Sequence, residues 1–160
     1  MTHTRVPSSK AASLKFIGVV RSPVAKVEEA PRQGALTDVV AEVIVDPEYA
    51  EGLKGMERRI NPPWVASLPD DRHRRTARIL VLCWMDQADR DRLLVHPHGD
   101  EMRPVRGVFA TRSPHRPNPV SLHTVQLLEI RGNVLRVKGM DAVDGTPVVD
   151  IKPHDPLLDD

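Results

Sequence analysis

Between Thr111 and Val120 the chain reads TRSPHRPNPV. Four side chains in that stretch have types suited to chemistry. Arg112 and Arg116 can hold a carboxylate or phosphate bidentately, His115 is an imidazole of the type used for proton transfer, and Asn118 offers both a donor and an acceptor. Pro114, Pro117 and Pro119 stand among them and lower the entropy lost when the loop is ordered. A plain surface turn needs one Pro or Gly, so the stretch reads as a stiff wall of a polar pocket. Two further corners have the same character. Pro31-Arg32-Gln33-Gly34 follows VAKVEEA, and GMDAVDGTPVVDIKP, from Gly139 to Pro153, holds Asp141, Asp144 and Asp150 around a Gly-Thr-Pro corner. Taken singly, each is an ordinary turn. Three in one small chain supply the backbone groups, fixed shape and directed side chains that a polar ligand needs.

Other chemistries find no support. GxGxxG, P-loop, HExxH and GxSxG patterns are all missing from the sequence. His96-Pro97-His98 lies near Asp100, but zinc needs three or four converging ligands and the intervening proline hinders the pair; no metal is expected. Cys83, the single cysteine, sits in an apolar run and reads as a buried, inert thiol. Two basic clusters stand out, one of Arg72, His73, Arg74, Arg75 and Arg78, the other of Arg103, Arg106, Arg112 and Arg116. Asp70 and Asp71 adjoin the first, and the formal net charge is only +1, so total charge does not single out a nucleic-acid partner. With two Trp, one Tyr and two Phe, the chain lacks a stacking platform for a run of bases. Any base it recognises would enter one pocket.

The elements that must position these corners are mostly strands. Residues 16–21, 39–45 and 79–84 are β-branched or apolar and end at turn signals. The third is apolar throughout and is expected to be buried on both faces. Residues 92–95 form a weaker strand, 107–110 a fifth, and 124–130 with 134–140 a hairpin around Arg131-Gly132-Asn133. Asp46-Pro47 predicts a short helix ending near Lys54, with Gly55 as its left-handed cap. Residues 86–94 allow a helical turn, and the polar, Pro-rich residues 61–76 form a long loop. Fifteen prolines in 160 residues suit short strands and tight corners. The expected fold class is all-β, a small, mostly antiparallel barrel with one or two short helices and long loops. It forms a single domain over residues 14–157 behind a disordered tail, residues 1–13. No secretory h-region or membrane-length apolar run is present, so a cytoplasmic protein without a membrane partner is expected.

In order along the chain, IGVVRSP, PRQG, GLKG, GVFATRSPHRPNPV and DAVDGTPVVDIKP resemble the TsaA/TrmO-like tRNA methyltransferase family across residues 16–156. That resemblance implies a small β-barrel dimer with S-adenosyl-L-methionine near the subunit boundary. It also implies methylation of N6 of N6-threonylcarbamoyladenosine just 3′ of the anticodon, at tRNA position 37. Carried over residue by residue, the family's cofactor site falls on Pro31, Arg32, Gln33, Met85, Asp86, Arg112, Leu122, Lys138, Gly139, Met140 and Asp141. Arg116 and Asn118 are expected to hold the acceptor or the cofactor's carboxylate, and Arg72, Arg74 and Arg75 to contact RNA phosphates. Methyl transfer to a urea-like nitrogen requires loss of a proton, and Asp141, Asp144 and His115 are the candidate bases. The chain departs from the family pattern where a Ser-His before the third strand is replaced by the basic loop, and where Ser121 stands for a glycine. Two rivals therefore stay open. One is a same-fold methyltransferase for another RNA or a small molecule; the other is a non-catalytic cofactor- or RNA-binding module. Mass spectrometry of tRNA nucleosides from a deletion strain tests the first, and labelled-methyl transfer to bulk tRNA tests the second.

Overall fold

The computed structural model describes residues 13–30, 37–59, 78–155 and 159. Its centre is a closed antiparallel barrel of six strands: β1 (Gly18–Arg21), β2 (Val40–Val45), β3 (Arg78–Trp84), β6 (Val120–Arg131), β7 (Val134–Lys138) and β8 (Pro147–Pro153). The order around the barrel is β1-β2-β7-β6-β3-β8. Two short strands, β4 (Leu94–Val95) and β5 (Arg106–Gly107), pair in an arm outside it.

Alternation along each strand sends one face inward. Val20, Val43, Ile79, Val81, Leu135 and Val137 are fully buried at the centre. Each contributes roughly 1.5–3 kcal/mol by leaving water. β3 alternates buried and half-buried positions. It is therefore not covered on both faces as its apolar run suggested, because the outer wall of a small barrel stays partly wet.

The 3-10 helix Pro47–Leu53 replaces the expected short helix. Gly55 does take the left-handed conformation, with φ 92°, but Asp46 makes no side-chain capping bond. Leu53 reaches the core, and Tyr49, Met56 and Ile130 pack against it. These residues close one end of the barrel, called the foot here. The expected fifth strand is only Arg106–Gly107, followed by the 3-10 turn Val108–Ala110. Of residues 86–94, those up to 93 form turns and bends with no helix, and Leu94 opens β4. β8, whose residues read in sequence as a Gly-Thr-Pro corner with a short apolar run, closes the barrel by pairing with both β3 and β1. A bulge between the Leu82–Asp150 and Cys83–Val148 pairs lets it turn from one neighbour to the other.

The register decides where the corners lie. Arg21 pairs with Glu42, Val40 with Lys138, and Trp84 with Val120. The β1–β2, β3–β6 and β7–β8 connections therefore all leave from one end, the mouth. β2 ends at Val45 and β3 starts at Arg78, both at the foot.

Candidate active site

β6 is the strand that shapes the mouth. From Val120 to Gln126 it pairs with β3, but its ladder with β7 begins only at Gln126–Lys138. Between Val120 and Val125, the β7-side edge of β6 thus has no ladder partner among the described residues. Backbone groups on an open edge are available to a ligand. Leu122 stands on this segment with 59% of its surface exposed.

The inward face of the same segment carries Ser121 and His123, two positions apart and so on one side of the strand. Ser121 Oγ lies 2.7 Å from His123 Nε2, and His123 Nδ1 lies 2.6 Å from Asp141 Oδ1. His123 is 8% exposed and Asp141 22%. Gly139, with φ 89°, turns the chain out of β7, and its N–H bonds the Val39 carbonyl at 2.9 Å. The turn brings Asp141 over the open edge. Met140 is fully buried and belongs to the core cluster. Burial, with the nearby Asp141 charge, pushes the Cys83 thiol up to about 12, so this cysteine stays protonated and is no nucleophile.

The TRSPHRPNPV loop is held chiefly by its own arginine. Arg116 donates from Nε to the Ser113 carbonyl at 2.9 Å and from Nη2 to the carbonyls of Thr111 at 2.8 Å and Val108 at 3.2 Å. Those bonds occupy most of the fork expected to grip a ligand. His115 accepts the Asp89 N–H at Nδ1, 3.0 Å away, so the neutral ring carries its proton on Nε2 and has no lone pair left for a base. Arg90 Nε donates to the Pro117 carbonyl at 2.9 Å, and Met85 N–H to the Pro119 carbonyl at 2.8 Å. The 85–90 segment and the proline loop are thus zipped together, with the Arg90 guanidinium also over the Trp84 ring, 5.4 Å from its centroid. Arg112, Asn118 and Asp86 are exposed at the surface of this assembly. The Arg112 side chain has no polar partner among the described residues.

Asp144 belongs to another part of the mouth. It accepts from the Ser22 N–H at 3.1 Å and Arg21 Nη1 at 3.3 Å. Gly145 N–H bonds the Val20 carbonyl at 2.9 Å, with φ 83° at the glycine. This is a bolt between two corners, and it accounts for Asp144 without proton transfer. A 370 Å³ groove beside it is lined by Arg21, Glu42, Arg136 and Asp144 among others; Ser121, His123 and Asp141 are not part of it. Lys138 pairs with Asp38 at 2.7 Å, which holds the Asp38 carboxyl below its ordinary value. Pro31, Arg32, Gln33, Arg72, Arg74 and Arg75 lie outside the described residues.

Met85, Asp86, Arg112 and Asn118 thus share one assembly, Leu122 and Asp141 the open edge beside it, and Lys138 and Asp144 the β1–β2 side. Ser121 and His123 were missed. Their signal was the alternation of 121, 123, 125 and 127, which continues the inward face of β6 back into the proline loop.

Three comparisons bear on this geometry. Residues 19–160 match the family model described as the tRNA-methyltransferase O N-terminal domain. The chain is 46% identical over 146 residues, 91% of its own length and 91% of the relative's, to an S-adenosyl-L-methionine-binding protein of Archaeoglobus fulgidus. It is 43% identical to a probable S-adenosyl-L-methionine-binding protein of Methanothermobacter thermautotrophicus, covering 88% of each. Another A. fulgidus relative, a probable S-adenosyl-L-methionine-binding protein, is 44% identical, but the chain spans only 35% of its length. The crystal structure of TrmO from Pseudomonas aeruginosa superposes with a TM-score of 0.70 at 28% identity, over 94% of this chain and 58% of that one. With the closed barrel and a match over most of its length, the chain belongs to the TrmO N-terminal domain family.

Proposed function

We propose that this chain binds S-adenosyl-L-methionine at the barrel mouth and methylates N6 of N6-threonylcarbamoyladenosine at tRNA position 37. The observation that carries this reading is the unladdered β6 edge between Val120 and Val125, flanked by Asp141 and by exposed Leu122 and Arg112. The residues fit the cofactor. An adenine ring needs an apolar surface with backbone donors and acceptors beside it, and Leu122 and the open edge offer both. A cofactor carboxylate needs a cation, and Arg112 has a guanidinium without a partner among the described residues. Asp141 is the nearby carboxylate for the cationic part. Pro31, Arg32 and Gln33, with the backbone of Lys138, Gly139 and Met140, complete the proposed cradle, and Met85 and Asp86 border it.

When bound, the cofactor supplies a methyl group made electrophilic by its sulfonium. The chain has to align that methyl with the acceptor nitrogen, since orientation provides a large share of the rate. The zipped loops and the Asp144 bolt keep the walls from moving as they do so. Asn118 is proposed to hold the acceptor nucleotide. Arg72, Arg74 and Arg75 are proposed to contact tRNA phosphates.

A second copy of the chain is the proposed partner besides tRNA. Leu93, Leu94, Met102, Val105 and Phe109 are half to nine-tenths exposed on and beside the β4–β5 arm, an apolar surface that a homodimer would cover. No helix among the described residues is long and apolar enough to cross a membrane, and a tRNA substrate places the protein in the cytoplasm.

The test is transfer of a labelled methyl group from the cofactor to tRNA that carries N6-threonylcarbamoyladenosine, followed by nuclease digestion and mass spectrometry. Label in the N6-methylated form of that nucleoside supports the proposal. Label in another nucleoside, or cofactor binding with no transfer, overturns it.

A further inference from the structure

We infer that Ser121, His123 and Asp141 form the proton relay of the methyl transfer, with Ser121 Oγ receiving the proton of the acceptor nitrogen; this rests on the methyltransferase reading above. The three groups form one continuous chain, with contacts of 2.7 Å and 2.6 Å. Ionised Asp141 can only accept, so His123 carries a proton on Nδ1. Its Nε2 lone pair then faces the Ser121 hydroxyl. Along the inward face of β6, Ser121 is partly buried, while His123, Val125 and Leu127 behind it are buried. The relay is closed at His123 and open at its ends: Ser121 lies on the segment where Leu122 and the unladdered edge stand, and Asp141 keeps 22% of its side chain exposed.

The step balances. The acceptor nitrogen bonds the methyl carbon, and the carbon–sulfur electron pair stays on sulfur. The nitrogen's proton moves to Ser121 Oγ as the serine's own proton passes to His123 Nε2. The resulting imidazolium faces the Asp141 carboxylate and later returns its proton to solvent. The Cys83 carbonyl, 3.4 Å from Ser121 Oγ, is the alternative acceptor toward which the hydroxyl turns once Nε2 is protonated. Among the described residues, the titratable groups at this chain are Asp141, which contacts His123 Nδ1, and Cys83, the β3 partner of Ser121, which feels the Asp141 charge. Burial keeps the thiol protonated, so Asp141 is the one charge there. Asp144 is held in the bolt to Arg21 and Ser22, and the His115 Nδ1 lone pair is taken by the Asp89 N–H; neither is linked to the open edge as this chain of groups is. Ser121 is the residue that touches substrate; His123 and Asp141 act through it as positioning residues.

The experiment is single-turnover methyl transfer at saturating cofactor and tRNA, from about pH 6 to about pH 9, for the full chain and for its Ser121→Ala and His123→Gln variants. Cofactor and tRNA affinities are measured in parallel. The relay predicts a wild-type rate that climbs with pH and levels off. Both variants should be about 100-fold slower or more near neutrality, with rates that climb without levelling and affinities within about two-fold of wild type. A Ser121→Ala rate and pH profile matching wild type would overturn the relay while leaving the methyltransferase standing. If wild type transfers no methyl at all, the methyltransferase reading fails and the base role with it. Nitrogen NMR of the His123 imidazole then judges the chain of hydrogen bonds alone. A neutral ring protonated on Nδ1 upholds it, and one protonated on Nε2 overturns it.

Discussion

Replacing Arg116 with alanine separates a structural clasp from a ligand contact. Its guanidinium makes three bonds to carbonyls of its own loop, at 2.8, 2.9 and 3.2 Å. A hydrogen bond with one charged partner contributes about 1.5–3 kcal/mol. All three are only partly buried, so water replaces some of each when the arginine is removed. Taking the two short bonds at the low end, and discounting for rehydration, the expected loss is about 2 kcal/mol. For a chain of this size that lowers Tm by about 4–8 °C. Thermal unfolding of the protein without ligand, followed by circular dichroism, reads it directly. Arg116→Lys should lose nearly as much, because a single ammonium cannot span three carbonyls. A shift under about 1 °C in both variants would refute the clasp and return Arg116 to the ligand.

Other outcomes follow from the same structure. Arg112→Ala should weaken cofactor binding about 10-fold or more with Tm unchanged, since its side chain is exposed and a charge-assisted bond to the ligand is lost; calorimetry checks it. Gly18→Ala should prevent or severely weaken folding, because a Cβ there would overlap the Ile44 carbonyl; urea unfolding tests this. Gly145→Ala should cost only about 1 kcal/mol, as its Cβ meets open space and the burden is the positive φ alone. Stability should fall as pH rises from about 9 toward about 12, because the unfolded Cys83 thiol ionises from its ordinary 9.0 while the folded one stays protonated up to about 12. A Cys83→Ala variant should flatten that part of the pH profile in denaturant titrations.

The barrel was legible because its strands alternate or run apolar between clear turn signals. What escaped notice has physical causes. The start of β6 was hidden because Val120 follows three prolines, which read as loop, although only residues after Pro119 need to join the ladder. Ser121 and His123 were missed because a polar pair does not look like a core face; at the open mouth, the inward face of a strand is polar. β8 begins and ends on proline and looked like a corner, yet a strand can carry Pro at its first residue. Arg116 looked like a ligand grip because the loop's own carbonyl demand was not counted. Prolines remove donors and leave carbonyls in need of partners, and an arginine inside such a loop is the group at hand to satisfy them. Of the three corners, the register sets the 111–120 loop and the 139–146 turn at one end of the barrel; Pro31 to Gly34 lie outside the described residues.

The account's central claim is that the mouth, at the open edge of β6, is where S-adenosyl-L-methionine sits. A crystal structure of the protein with the cofactor tests this most directly. The account predicts adenine against Leu122 and the 120–125 backbone, a polar contact from Arg112, and Asp141 beside the cationic end. The cofactor lodged instead in the groove between Arg21, Glu42 and Arg136, or at the foot of the barrel, would contradict it.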